Sequence, residues 1–269
     1  MKTIREIRAE VYRKRPLIHC ITNPISIHAC ANAILAVGAQ PIMAEHPGEV
    51  RQITENADAL VLNLGNITDV RMRSMGLSME MAAEKRIPVV IDAVGVACSP
   101  LRLDFIRSLL EQGAPTVIKG NYSEILALYS GRCQAAGVDA DPAMNAAAIF
   151  PAAAELAQRT GAVILASGKT DVVTDGRRMI RLYNGTPLLS RVTGTGCMLG
   201  ALCGTYLTAA NGLDAAAAAC AVLGICGERA DSNSGTGSFL VGLMDGLSTL
   251  GDRDLNAYLK MEAEDIETI

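Results

Sequence analysis

Short runs of Val, Ile and Leu alternate with longer helical patterns up to about residue 167, and this rhythm limits the folds open to the chain. Runs that are apolar at nearly every position are typical of strands buried on both faces. We therefore predict strands at 41–44, 57–64, 87–94, 115–120 and 162–167. Helices are predicted at 25–37, 47–56, 68–86, 101–112, 121–130 and 142–160. This alternation predicts an α/β fold with a mostly parallel central sheet and helices on both faces.

The rhythm changes after residue 167. The stretch "DVVTDGRRMIRLYNG" reads as two short strands joined through Asp175-Gly176, and we expect an antiparallel edge hairpin near 171–183. Helices are predicted at 195–210, 214–230, 238–250 and 253–264. Because no linker, charge block or repeat divides the chain, we expect one domain over residues 1–269.

Composition excludes several classes of function. Aromatic residues make up 3% of the chain and its formal net charge is −4, so neither base-stacking platforms nor a basic nucleic-acid surface is expected. The eight cysteines form no C-x-x-C pair and no zinc spacing, which favours reduced thiols in a cytoplasmic protein. The N-terminus is charged throughout and lacks the apolar core of a signal peptide.

One stretch is uncharged over a length that could span a bilayer, from Val192 to Leu213. It contains five glycines and ends at "NGLD", as a soluble helix does, so we predict a buried helix and no membrane contact.

Ligands of open parallel sheets bind outside the carboxyl ends of the strands. The residues at these predicted ends are Met43, Asn63 with Gly65, Asp92, Lys119 with Asn121, and Ser167 with Gly168. They are the first candidates for a functional site.

The stretch "VTGTGC" (192–197) joins a strand-like end to a long helix. Backbone N–H groups of 194–197 would then meet at a helix N-terminus, which is a favourable site for an anion. A glycine-rich helix start also serves simply to pack a helix tightly against a sheet, and these six residues alone do not separate the two. The pattern is neither a P-loop nor a dinucleotide fingerprint.

"GTGC" resembles the anion-hole loop of ribokinase-like small-molecule kinases, in which an aspartate usually follows Gly-x-Gly. Cysteine in its place is similar to one branch, the hydroxyethylthiazole kinases of thiamine salvage. The stretches "HCITNPISIHACANAILAVGAQPIMAEHPGEV" (19–50), "KGNYSEI" (119–125), "SGKTDVVTDG" (167–176) and "GSFLVGLMDGL" (237–247) resemble motifs of the same branch, in the same order. The resemblance covers nearly the whole chain and implies a ribokinase-like fold.

The resemblance also implies roles for particular residues. Cys197 matches the catalytic position, and Asn23, Met43 and Gly194 match substrate-binding positions. Lys119, Ser167, Thr193 and Gly196 match ATP-binding positions. Glu124 and Asp92 match positions that hold Mg²⁺. The chain departs from the family pattern at Ala93, where proline is usual, and at Lys119, where arginine is frequent.

Each of these residues also has a purely structural interpretation. Cys197 would be a buried cysteine at a helix start, Glu124 a favourable partner of the helix dipole, and Met43 a core residue. A helix N-terminus lowers a thiol pKa, so a thiolate base at Cys197 is chemically possible. Since a loose transition state releases the hydroxyl proton late, we expect Cys197 to orient the hydroxyl and to act as a weak base at most.

The leading hypothesis is ATP-dependent phosphorylation of 4-methyl-5-(2-hydroxyethyl)thiazole. One alternative is an ATP-dependent nicotinamide-nucleotide-hydrate dehydratase, whose loop would keep an aspartate where Cys197 stands. The other is a catalytically silent metabolite-binding homologue. The resemblance further implies a homotrimer with sites at subunit boundaries, in which segment 19–50 faces a neighbouring subunit.

Overall fold

A computed structural model describes residues 2–133, 146–231 and 235–266. Nine strands occur in these ranges: β1 (Leu17–Ile21), β2 (Gln40–Ile42), β3 (Ala59–Asn63), β4 (Val89–Asp92), β5 (Val117–Asn121), β6 (Val163–Ser167), β7 (Asp171–Thr174), β8 (Arg178–Leu182) and β9 (Met261–Asp265). They form one sheet in the order β2-β1-β3-β4-β5-β6-β7-β8-β9. The pairs from β2 to β6 are parallel, and those from β6 to β9 are antiparallel.

Helices cover both faces of this sheet. They are α1 (Ile4–Lys14), α2 (Ile27–Ala36), α3 (Val50–Glu55), α4 (Asp69–Lys85), α5 (Pro100–Gln112), α6 (Tyr122–Ser130), α7 (Ala146–Thr160), α8 (Leu188–Arg191), α9 (Thr195–Leu207), α10 (Gly212–Ala230), α11 (Thr236–Thr249) and α12 (Asp252–Tyr258). Each face of the sheet has its own apolar core. One core is covered by α1, α2, α9, α10 and α11, and the other by α4, α5, α6 and α7.

The central strands bury side chains on both faces, as their apolar sequences predict. On β4, Val90 belongs to the core under α9, whereas Val89 and Ile91 belong to the core under α4 and α5. Successive side chains of a strand point to opposite faces. A strand between two helical layers therefore has no solvent-facing position for a polar residue until it reaches its end.

The predicted α/β arrangement is confirmed. All five predicted parallel strands and the hairpin near 171–183 are present, with ends shifted by a few residues. The predicted helices between 25 and 250 are also present; for the helix predicted at 142–160, positions 142–145 lie outside the described residues. Helices α1 and α8 have no counterpart among the helices predicted from the sequence.

One central strand, β1, was missed. Its sequence "LIHCI" has a histidine in the middle, which interrupts the apolar run. In the structure His19 is fully buried, and its ring nitrogens form hydrogen bonds with the Ala44 carbonyl and the Thr54 hydroxyl, each at 2.9 Å. Tertiary partners thus satisfy a polar side chain inside a buried strand.

The predicted helix at 253–264 is wrong in its second half. The chain is helical only over α12, and residues Met261–Asp265 form β9, which pairs with β8. Alternating acidic residues in "MEAED" have good helix propensity, but here they lie opposite the arginines of β8. The hairpin is therefore antiparallel as predicted, while β9 and not the hairpin is the outermost strand on this side.

No helix within the described residues is long and apolar enough to span a membrane. The uncharged 192–213 stretch forms α9 and the start of α10, most of whose residues are buried, as predicted.

Candidate active site

Three polar side chains lie in a row where the central strands β3, β4 and β5 end. The strand register aligns Asn63 with Asp92 and Asp92 with Lys119. Asn63 Nδ2 donates to Asp92 Oδ2 at 2.8 Å, and Lys119 Nζ donates to Asp92 Oδ1 at 2.9 Å. We call Asn63, Asp92 and Lys119 the polar row. Each of these three residues is at most 4% exposed.

Charge is concentrated in the polar row. Burial acts to lower the pKa of Lys119, but the carboxylates of Asp92 and Glu124 outweigh it and raise that pKa above its ordinary value. Burial likewise raises the pKa of the Asp92 carboxyl, against the opposing effect of Lys119 and Asn63. The ammonium group of Lys119 therefore remains a buried positive charge at neutral pH.

The glycine-rich stretch forms the start of α9, directly above the polar row. Gly194 has φ +95°, the left-handed conformation that favours glycine, and no side chain of the described residues caps the helix. A Cβ at Gly196 would lie 3.4 Å from Lys119 Nζ, and one at Gly200 would lie 3.2 Å from Asp92 Oδ2. The uncapped first-turn N–H groups and the Lys119 ammonium thus face a common region, which is favourable for an anion.

Cys197 lies in the first turn of α9 and is half-buried. Its thiol lies near the Ser26 hydroxyl and the Asn63 carboxamide. Burial, and then the nearby Asp92 carboxylate, raise the pKa of Cys197 above its ordinary value despite Lys119 and these two hydrogen-bonding groups. The helix N-terminus does not prevail here, so the thiol is protonated at neutral pH.

Glu124 lies in the first turn of α6, next to the polar row. Its carboxylate accepts the backbone N–H groups of Gly95, at 2.8 Å, and Asn121, at 2.7 Å, while Asn121 Oδ1 accepts the Glu124 N–H at 2.9 Å. Glu124 is 3% exposed. Burial raises its pKa to about 7, although the Lys119 charge and the backbone hydrogen bonds oppose this.

These carboxylates are compatible with magnesium but do not form a complete metal cage. Among the described residues, no group of three or more His, Cys, Asp or Glu side chains could hold a metal ion. Mg²⁺ commonly keeps several waters and is bound by one or two carboxylates together with substrate phosphates. Glu124 and Asp92, whose pKa values are raised mainly by burial, match that pattern.

The sequence-predicted substrate residues lie on the β1 and β2 side. Asn23 follows β1, and its carbonyl accepts the Ser26 N–H at 2.9 Å and hydroxyl at 3.1 Å. Ser26 in turn lies against Gly194, where a Cβ would come within 3.2 Å of Ser26 Cβ. Met43 follows β2, two strands from β3, and is half-buried. Asn23 and Gly194 are thus brought together, with Met43 farther out along the same edge.

The sequence-predicted ATP residues lie on the β5 and β6 side. Ser167 ends β6 opposite Asn121 in the register, and its hydroxyl donates to the Gly120 carbonyl at 3.3 Å. The next residue, Gly168, is exposed and its N–H donates to Asp171 Oδ1 at 3.0 Å. Thr193 is exposed just before the glycine loop. Gly196 lies against Lys119, since a Cβ at Gly196 would lie 3.4 Å from Lys119 Nζ.

The structure adds two side chains to those given roles by sequence. Asn63 and Ser26 both lie near Cys197, and neither was assigned a role. Asn63 was among the residues at predicted strand ends, so that rule could have found it. Ser26 comes from the loop after β1, and its approach to α9 depends on how α2 packs against α9.

Comparisons with known proteins agree with this geometry. Residues 8–253 match the sequence model of the Hydroxyethylthiazole kinase family. The chain is 45% identical over 252 residues to hydroxyethylthiazole kinase 2 of Clostridium botulinum (strain Kyoto / Type A2), covering 92% of this chain and 95% of that protein. It is 38% identical over 250 residues to hydroxyethylthiazole kinase of Finegoldia magna, covering 93% of this chain and 92% of that protein.

Solved structures agree as well. A hydroxyethylthiazole kinase protein from Pyrococcus horikoshii OT3 superposes with a TM-score of 0.90 at 34% identity, covering 98% of this chain and 100% of that one. A ribokinase-like superfamily protein from Enterococcus faecalis V583 shares the fold, with a TM-score of 0.64 at 11% identity over 91% of this chain and 94% of that one. The chain therefore has a ribokinase-like fold and belongs to the hydroxyethylthiazole kinase family.

Proposed function

We propose that this kinase transfers the γ-phosphoryl group of ATP to the hydroxyl of 4-methyl-5-(2-hydroxyethyl)thiazole, giving the phosphate ester and ADP, in thiamine salvage. The observation that carries the proposal is the position of Cys197 and the uncapped start of α9 above a buried lysine–aspartate pair. The family match supports the thiazole alcohol as substrate. It also favours a kinase over the dehydratase, since the loop carries Cys197 where a dehydratase would carry an aspartate.

We also propose that residues 1–269 act as one domain, because one sheet contains all strands of the described residues.

In the proposed reaction the substrate hydroxyl oxygen attacks the γ-phosphorus, the bond from that phosphorus to the ADP oxygen breaks, and the hydroxyl proton leaves to solvent. Catalysis of such a transfer depends mainly on positioning and charge stabilisation. Lys119 and the first-turn N–H groups of α9, from the Gly194 to Cys197 loop, would stabilise the transferring oxygens. Cys197, protonated, would orient the hydroxyl without acting as a strong base.

Mg²⁺ is proposed as the metal, held by Glu124 and Asp92, and when bound it would neutralise phosphate charge. Both carboxyls have raised pKa values because they are buried, so a nearby cation would favour their ionised forms. Lys119 already occupies one side of Asp92, which makes Glu124 the more available ligand.

The two ends of the site are proposed to serve different ligands. ATP would bind on the β5 and β6 side through Lys119, Ser167, Thr193 and Gly196. The thiazole would bind on the β1 and β2 side, against Asn23, Met43 and Gly194, where a thioether suits a flat sulfur heterocycle.

The proposed assembly is a homotrimer with its sites at subunit boundaries. It is supported by the apolar residues that segment 19–50 exposes, Ile25 at 68% and Leu35 at 55%, and by a groove of about 520 Å³ between α2 and α11. Equilibrium sedimentation would test it, the expected mass being three times 28.2 kDa.

We propose a cytoplasmic location on the basis of eight free thiols.

The decisive experiment is an assay of ATP consumption with the thiazole alcohol, with and without Mg²⁺. We expect Mg²⁺-dependent formation of ADP and the thiazole phosphate, and little turnover of hydroxymethylpyrimidine as the control alcohol. Absence of turnover with the thiazole would contradict the proposed function and favour a silent homologue. Turnover without any divalent cation would contradict the proposed roles of Glu124 and Asp92.

A further inference from the structure

Asn63 ends β3 inside the proposed site, yet none of the roles above belongs to it. It is 1% exposed and lies beside Asp92 in the sheet register. Its Oδ1 accepts the Gly65 N–H at 2.8 Å, and its Nδ2 donates to Asp92 Oδ2 at 2.8 Å. Because a backbone N–H only donates and a carboxylate only accepts, a single orientation of the carboxamide satisfies both partners.

The same carboxamide lies beside Cys197. Nδ2 donates to Asp92, and the thiol of Cys197 is near this carboxamide. The side chain that fixes the Asp92 carboxylate therefore also lies next to the residue at the catalytic position.

The loop after β1 also approaches Asn63. The Ser26 hydroxyl, which lies near the Cys197 thiol, donates to the Asn23 carbonyl at 3.1 Å. Gly65 brings the two asparagines together, because a Cβ there would lie 2.7 Å from Asn23 Nδ2 and 2.8 Å from Asn63 Oδ1. Asn63 thus connects the polar row with the loop proposed to contact the thiazole.

We propose that Asn63 is a positioning residue for phosphoryl transfer: it holds Asp92 in its pairing with Lys119 and so fixes the charged groups beside Cys197. This role rests on the proposed function. Asn63 acts through Asp92 and does not itself contact the reacting atoms. Its loss would therefore slow the chemical step more than it weakens binding.

The test is steady-state kinetics of Asn63→Ala with ATP and the thiazole alcohol. We expect kcat to fall by on the order of 10²-fold, the loss that follows a small misplacement of reacting groups. Both KM values should stay within about threefold of the wild-type values. Asn63→Asp, which keeps the shape and the acceptor for Gly65 but lacks both donors, should lose kcat similarly, and it serves if the alanine variant does not fold.

Asn211 provides a matched control at the opposite edge of the sheet. Its Oδ1 accepts the Asp214 N–H at 2.9 Å and its Nδ2 donates to Asp214 Oδ2 at 3.1 Å, the same pattern of bonds that Asn63 makes. Asn211→Ala should lower the melting temperature through loss of a helix cap and leave kcat unchanged. A kcat within threefold of wild type for both Asn63 variants, or a rise in KM alone, would overturn the proposal. An inactive wild-type enzyme would instead overturn the proposed function, and the role of Asn63 with it.

Discussion

The Asp92–Lys119 pair and the ion pairs between β8 and β9 are made from the same kinds of groups in opposite surroundings. The side chains of Lys119 and Asp92 are 5% and 0% exposed, whereas those of Arg178 and Asp265 are 40% and 82% exposed. Exposed pairs are screened by water and contribute little, while a buried pair carries a large desolvation penalty that its attraction only partly offsets. A buried ion pair at the carboxyl edge of a sheet is therefore better explained by a role in the reaction than by a contribution to the free energy of unfolding.

The largest expected effect comes from leaving one buried charge without its partner. Lys119→Met should destabilise the protein by about 3–5 kcal/mol, because Asp92 would remain buried and uncompensated. It should also abolish most phosphoryl transfer. Urea unfolding and the ATP assay would measure the two effects.

Lys85→Met is the matched control, since Lys85 pairs with Glu55 at 2.7 Å while both side chains are more than 40% exposed. It should change the unfolding free energy by less than about 1 kcal/mol. Equal effects of the two substitutions would remove the distinction between buried and exposed pairs.

The pH dependence of stability tests the burial of Glu124. Its pKa is about 7 in the folded protein against 4.5 for the ordinary carboxyl, so it favours folding below pH 4.5, and this contribution is lost as the pH rises through 7. The unfolding free energy of Glu124→Gln minus that of wild type should therefore increase as the pH rises from 4.5 to 7, by on the order of 2 kcal/mol.

Unfolding in metal-free buffer at several pH values would measure this difference, and only its change with pH is diagnostic, because glutamine also loses one backbone hydrogen bond. Glu55→Gln is the control, since Lys85 lowers the pKa of Glu55 and the small pH trend should have the opposite sign. A constant difference for Glu124→Gln would mean that Glu124 titrates normally.

Substitution of Cys197 tests whether the thiol beside the polar row acts as a neutral group. Because burial and Asp92 raise the pKa of Cys197, a hydroxyl should replace the thiol well. Cys197→Ser should retain kcat/KM within about tenfold, or 1.4 kcal/mol. A far greater loss of kcat/KM in Cys197→Ser, or a wild-type rate that rises with the fraction of thiolate, would establish a base role for Cys197. A Cys197→Asp variant faster than wild type would identify a carboxylate as the better base.

The smallest expected effect is at the sheet edge. Arg181 Nη2 and Glu264 Oε2 are 2.6 Å apart, but their side chains are 22% and 49% exposed. A double-mutant cycle with Arg181→Gln and Glu264→Gln should give a coupling energy of about 0.2–1 kcal/mol, with phosphorylation unchanged. Coupling as large as the effect of Lys119→Met would mean that exposure does not decide the strength of these pairs.

The two regions also differed in how far sequence reasoning reached. Near the site, apolar runs ended in Asp92 and Lys119, and the rule that ligands bind at the carboxyl ends of parallel strands selected both. At the far edge, "MEAED" was assigned to a helix, because its strand structure depends on arginines that are about 80 residues away in sequence. Local propensity could not reveal that pairing.

Most of the strands and helices, the hairpin through Gly176 and the glycine-rich start of α9 were set by local patterns: apolar periodicity and glycine. Only the tertiary structure decided that β1 lies in the sheet with a satisfied histidine, that Asn63 and Ser26 lie near Cys197, and that the Cys197 pKa is raised. The reason is physical. Hydrogen-bond partners and desolvation depend on groups brought together from distant parts of the chain, and a helix N-terminus that would lower a thiol pKa is outweighed once that thiol is buried beside Asp92.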